Sequence, residues 1–147
     1  MLTTVPATRS HSPLSYDELV DQVKRNGLYA TRAQAHAITR SVLAELGRQV
    51  TGDERVELAQ RLPDEAAHEF ASQIPATRAS TGFGFVQQIA ARTGTSLGAA
   101  RWDTGSVLRA IARVAGPDLL DRLLAQLPDG YALLFGQAQL TRPRAAA

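Results

Sequence analysis

Sliding the 147-residue chain against itself by 65 places lays Thr31–Phe70 over Ser96–Phe135. Thirteen of the 40 positions then coincide: Ala35, Thr39, Ser41, Val42, Leu43, Arg48, Asp53, Leu58, Leu62, Pro63, Asp64, Ala67 and Phe70 each meet their own residue type. Unrelated stretches of that length would share roughly two or three. A shift of 66 carries the match upstream, setting Leu19-Val20-x-x-Val23 on Phe85-Val86-x-x-Ile89, with the length change falling around the turns that hold Gly27 and Gly94. The chain therefore reads as two copies of one unit, residues 15–71 and 83–136. Between them, residues 72–82 (SQIPATRASTG) have the Pro, Ser, Thr and Gly of a linker. Residues 1–14 read as a mobile tail, and 137–147 as a C-terminal tail.

Each unit is patterned as helices. Tyr16, Leu19, Val20 and Val23 recur at the i, i+3, i+4, i+7 spacing of one helical face, and Ser15 with Glu18 makes a capping box that Leu14 and Leu19 would staple. Thr31 with Gln34 repeats the box ahead of Ala35, Ile38, Val42 and Leu46. Thr51 with Glu54 makes a third, followed by an inner stripe of Val56, Ala59 and Leu62 that ends at Pro63, and Asp64–Ala71 adds a short fourth helix. The second copy repeats the plan with Phe85, Val86 and Ile89, then Val107, Leu108, Ile111 and Val114, then Leu119, Leu120, Leu123, Leu124 and Leu127, and it starts its third helix with Gly116-Pro117. Nothing alternates with period two. The expected fold is all-α, about four helices per copy. Since units of about 60 residues cannot bury every face alone, the two should form one compact bundle around a pseudo-twofold axis.

Composition narrows the function classes. Hydrophobic residues at 44% and charged residues at 20% are globular values. The absence of Cys removes disulfides, thiolate metal sites and cysteine nucleophiles, and suits a reducing compartment. The pI of about 9.5 exaggerates the basicity, because the net charge is only +2 and every basic residue but Lys24 is Arg. The excess is uneven: residues 1–75 carry 8 basic and 10 acidic side chains, residues 76–147 carry 8 and 4. No stretch is long and apolar enough to span a membrane, and Met1–Pro13 lacks the apolar region of a signal peptide. A cytoplasmic location is the expectation.

Few residues suggest chemistry. Glu65-Ala-Ala-His68 has the Glu-x-x-His spacing of carboxylate-bridged metal sites, but the equivalent positions of the second copy are Gly130 and Leu133, so His36 or Glu69 would have to complete the shell. His36, between Arg32 and Arg40, reads as a surface residue, and Thr39, Ser41, Thr104 and Ser106 lack a recurring His–carboxylate partner, so they read as close-packing hydroxyls. Gly82-x-Gly84 lacks the strand and Lys of a phosphate loop. Arg48 and Asp53 recur as Arg113 and Asp118, the charges that favour a helix end and the next helix start. Trp102, the single tryptophan, stands where the first copy has Ala37; with Arg101, Arg109 and Arg113 it forms a candidate binding spot, or it fills the groove between the units. A small-molecule site in the inter-unit cleft would use Trp102 and Tyr131.

The repeated Ala-x-x-x-Thr-x-Ser-Val-Leu helix (Ala35–Leu43, Ala100–Leu108) and the Leu-Pro-Asp turn followed by Phe (Leu62–Phe70, Leu127–Phe135) resemble the bacterial family catalogued as domain of unknown function 2267, from about Tyr16 to Gly136. The resemblance implies an all-α duplicated fold, a soluble intracellular protein and no reaction. Gly82 and Gly84 stand where that pattern expects acidic helix-starting residues. The resulting expectation is a non-catalytic helical module, without cofactor or metal, that binds a protein partner or itself as a homodimer. Nucleic-acid binding through a helix-turn-helix at residues 91–113, and small-molecule binding in the cleft, are the alternatives.

Overall fold

Capping chemistry fixes where the chain turns into helix. In a computed structural model describing residues 14–137, Ser15 accepts from the Glu18 N–H at 3.1 Å while Glu18 accepts from the Ser15 N–H at 2.9 Å, closing the expected box at the start of α1 (Tyr16–Gly27). Leu28 ends α1 in the left-handed region at φ 57°. Thr31 caps α2 (Arg32–Gln49) through the Gln34 N–H. The expected tails lie outside the described residues, apart from Leu14 and Gln137.

The third box does not form. Thr51 precedes α3 (Gly52–Arg61) without a side-chain cap, and its N–H, which the box would give to Glu54, donates instead to Gln126 Oε1 at 2.9 Å, while Gln126 Nε2 donates to the Thr51 carbonyl at 3.1 Å. Val56 is likewise not inward: it is exposed, and Leu58 and Leu62 are the buried residues of this stretch. Arg55 is the side chain that folds over instead, donating to the carbonyls of Gly47, Val50 and Gln73 and lying 5.3 Å from the Phe70 ring centroid. Carbonyls left open where helices end accept a guanidinium whose stem still packs on apolar surface.

After α4 (Asp64–Ala71), residues 72–81 cross to α5 (Gly82–Thr93), α6 (Leu97–Gln126) and α7 (Tyr131–Leu134). Gly82 thus belongs to helix rather than to the linker. Its glycine is required: a Cβ there would sit 2.7 Å from the Gly130 carbonyl carbon, and the Gly82 N–H donates to the Asp129 carbonyl at 2.9 Å. Helix α6 breaks at Gly116 (φ 80°, ψ 162°) before Pro117, where the sequence starts a new helix.

No strand occurs among the described residues, and the seven helices share one apolar core. Helix α1 packs on α2 and α6, α5 on α6 and α2, and α3 on α4 and the C-terminal part of α6. Buried polar groups tie the halves together. Glu45, 2% exposed, accepts from Arg92 at 3.2 Å; Tyr29 OH donates to Asp103 at 2.6 Å; Gln49 Oε1 accepts from the Ser80 N–H at 2.8 Å. Pairing of this kind offsets the desolvation that an isolated buried carboxylate would suffer.

Candidate functional site

Two surface grooves sit at positions 65 or 66 residues apart. The first, about 430 Å³, is lined by Tyr16, His36, Arg40, Asp64, Glu65, His68 and Glu69. The second, about 400 Å³, is lined by Gly82, Phe83, Val86, Leu97, Gly98, Arg101, Gly130, Leu133 and Leu134. The sequence offsets pair Tyr16 with Gly82, His36 with Arg101, Glu65 with Gly130, His68 with Leu133 and Glu69 with Leu134.

Side chains lining the first groove pair with one another. Tyr16 OH and His36 Nδ1 are 2.8 Å apart, with the rings edge-on, and Arg40 pairs with Glu69 at 3.0 Å. Burial, reinforced by the nearby Glu65 carboxylate, pushes the Tyr16 phenol up to about 12, so it stays neutral at physiological pH. The Glu65–His68 pair and its proposed completions, His36 and Glu69, do line one groove. Yet among the described residues no group of three or more His, Asp or Glu side chains is arranged to hold a metal ion.

The second groove is open and apolar. Phe83 (62%), Leu133 (54%) and Leu97 (46%) are exposed beside it. Its only ionisable lining group is Arg101. On the next turns of α6, Gly105 lets two guanidinium groups converge: a Cβ placed there would lie 3.4 Å from Arg109 Nη1 and 3.5 Å from Arg101 Nη1. The Arg109 stem runs over Gly136, and its head donates to the Asn26 carbonyl at 3.3 Å. Arg101, Arg109 and Arg113, like Arg25, Arg55 and Arg78, have no carboxylate partner among the described residues, whereas Arg32, Arg40, Arg48, Arg61, Arg92 and Arg122 have one. Asp103, the acidic residue nearest Arg101 in sequence, is turned inward to Tyr29.

Trp102 and Tyr131 are not brought together. Trp102 is half-exposed on α6 and donates its indole N–H to the Gly27 carbonyl at 2.9 Å, linking the second half to the end of α1. Tyr131, 1% exposed, belongs to the core: its ring stands edge-on to Phe85 and its hydroxyl donates to the Ser80 carbonyl at 2.9 Å. A ligand cleft shared by these two rings therefore does not form. Sequence reading missed Phe83, Leu97, Leu133 and Gly105. The signal was available in the duplication, where these positions replace Asp17, Arg32, His68 and Arg40.

The described residues form an all-α fold in which one groove is lined by paired polar side chains and another by apolar ones, while Arg109 and Arg113 line a separate groove with Asn26 and Phe135. The chain belongs to the DUF2267 family of uncharacterized conserved proteins, whose profile matches residues 16–134. No curated protein matches the chain. No described helix is long and apolar enough to cross a membrane.

Proposed function

We propose that the chain is a non-catalytic interaction module, built from two copies of a four-helix unit related by a pseudo-twofold axis, whose second groove docks a protein partner. Several contacts support the duplicated arrangement. Glu57 and Arg122 stand 65 residues apart and bond to each other, Arg122 Nη1 to Oε1 at 2.8 Å and Nη2 to Oε2 at 3.0 Å, as equivalent positions astride a twofold axis would. The packing is reciprocal, α1 on α6 and α5 on α2. Equivalent core residues Ala35 and Ala100, Leu43 and Leu108, Leu58 and Leu123, and Phe70 and Phe135 are all buried.

The observation that carries the docking role is the contrast between equivalent grooves. One is lined by polar side chains that pair with one another, and the other leaves large apolar groups exposed in a concavity, a pattern that marks interaction sites on soluble proteins. Its lining contains no His, Asp, Glu, Lys or Tyr, which argues against acid–base catalysis there. Residues 103–108 of α6 are buried, which counts against that helix entering a nucleic-acid groove. A Cys-free composition favours the cytoplasm.

An apolar fluorescent dye should bind the wild-type protein, lose that binding in Leu133→Asp and retain it in His68→Asp, the equivalent change in the first groove. Light scattering coupled to size exclusion should give a mass unchanged by a short DNA duplex at low salt. Dye binding indifferent to Leu133→Asp, or a mass increase with DNA that vanishes at high salt, overturns the proposal.

A further inference from the structure

We infer that the second groove accepts the apolar face of an acidic amphipathic helix from a partner protein, and that Arg101 and Arg109 hold that helix's carboxylates. The inference rests on the docking role proposed above and adds the chemical class of the partner. The groove runs between the first turns of α5 and α6 and the short α7. Among the described residues there is no sheet edge to which an extended peptide would add a strand, and a helix laid in a groove is the mode that needs only apolar side chains on the receiving surface. Phe83, Leu97 and Leu133 offer that surface.

Charge selects the partner's sign. The Arg101 and Arg109 guanidinium nitrogens each lie within 3.5 Å of one point above Gly105, hence within twice that distance of each other. Two unneutralised cations so placed repel, and a carboxylate between them removes the repulsion while accepting several N–H bonds. Arg109 is already held by Asn26 and Gly136, so little side-chain freedom is lost on binding. The first turns of α5 and α6 carry no acidic residue, unlike those of α1, α3 and α4, and are capped by the neutral hydroxyls of Thr81 and Ser96, so no carboxylate in those turns answers the positive ends of the two helices. A basic or neutral helix would leave these charges unanswered.

The test uses three synthetic helical peptides with the same Leu face at i, i+3 and i+7, flanked by Glu, by Gln or by Lys, titrated by fluorescence anisotropy against the full chain. The Glu peptide is expected to bind about tenfold or more tighter than the Gln peptide at low salt. That ratio should shrink with added salt and vanish in the double variant Arg101→Gln/Arg109→Gln, while Leu133→Asp removes binding of every peptide; circular dichroism melting checks that each variant is folded. Gln or Lys peptides binding as tightly as Glu, with Leu133→Asp still abolishing binding, overturns the acidic class and leaves the docking role standing. No peptide binding, together with no Leu133-dependent dye binding, overturns both. A homodimer that Leu133→Asp dissociates gives the groove to a second copy and overturns the acidic-helix assignment.

Discussion

The groove beside Tyr16 and the groove beside Gly82 are lined at positions that the 65- and 66-residue sequence offsets pair, and the paired residues differ in chemistry. Behind them the core is nearly the same: Leu43, Leu58 and Phe70 in one half, Leu108, Leu123 and Phe135 in the other, all buried. Close packing restricts what a core position accepts, because a lost or added methylene disturbs every neighbour. A groove wall meets solvent on one side and tolerates wholesale change. Here that latitude lines one groove with a Tyr–His bond and an Arg–Glu pair, and lines the other with apolar side chains and Arg101.

The largest expected effect tests the shared core. Phe70→Ala and Phe135→Ala should each cost about 3–5 kcal/mol of unfolding free energy, measured by urea denaturation. A loss from one and near-neutrality from the other would break the equivalence of the two halves.

Gly82→Ala comes next, because the new Cβ would meet the backbone of Gly130, which has no rotamer through which to yield. A destabilisation of about 1–3 kcal/mol is expected. A neutral result would mean that α5 and α7 are not pressed together as the second groove requires.

The polar groove makes a pH prediction. Tyr16 is pushed up to about 12, and Tyr29 and Tyr131 are also raised, each mainly by burial. A phenol whose folded value exceeds its unfolded value of 10.0 keeps its proton longer in the folded state. The associated stability is therefore complete below pH 10 and declines as pH rises through the folded value. Tyrosinate absorbance followed alongside circular dichroism should show ionisation of these three residues, the only tyrosines in the chain, coinciding with loss of helix. Tyrosinate appearing near pH 10 with helix intact would contradict their burial.

The smallest effect sharpens the contrast at the cationic rim. Gly105 lies inside α6, where Ala is favoured over Gly by about 0.5–1 kcal/mol. Gly105→Ala should raise the melting temperature, since its Cβ would meet only the guanidinium ends of Arg109 and Arg101, at 3.4 and 3.5 Å, which is ordinary contact. Stabilisation accompanied by weaker binding of the Glu-flanked peptide would tie the two guanidinium groups to Gly105. Destabilisation would show that the arginines cannot move aside.

Much of the helical layout was legible because local chemistry writes it. The Ser15–Glu18 box, the Thr31 cap and the Gly116-Pro117 break depend on residues within a turn of one another. The Thr51–Glu54 box does not close, its Thr51 N–H going to Gln126, 75 residues away, and Val56 is exposed while Arg55 covers the neighbouring helix ends. Trp102 and the arginines of α6 were visible as candidates. Tyr131 looked like a cleft residue and is core, since no local signal reveals that its hydroxyl will find the Ser80 carbonyl. Phe83, Leu97 and Leu133 passed as ordinary apolar residues, though the duplication marked them by setting them against charged or polar counterparts.

The sequence by itself determined the helices, the two matching stretches and the identity of most core residues, because periodicity and capping act over a few residues and an apolar stripe must be buried somewhere. Only the tertiary structure decided which apolar residues stay exposed, which arginines lack a carboxylate and which buried charges find partners across the halves. Those outcomes depend on distances between segments far apart in the chain, and burial and pairing are properties of the assembled neighbourhood rather than of any one residue.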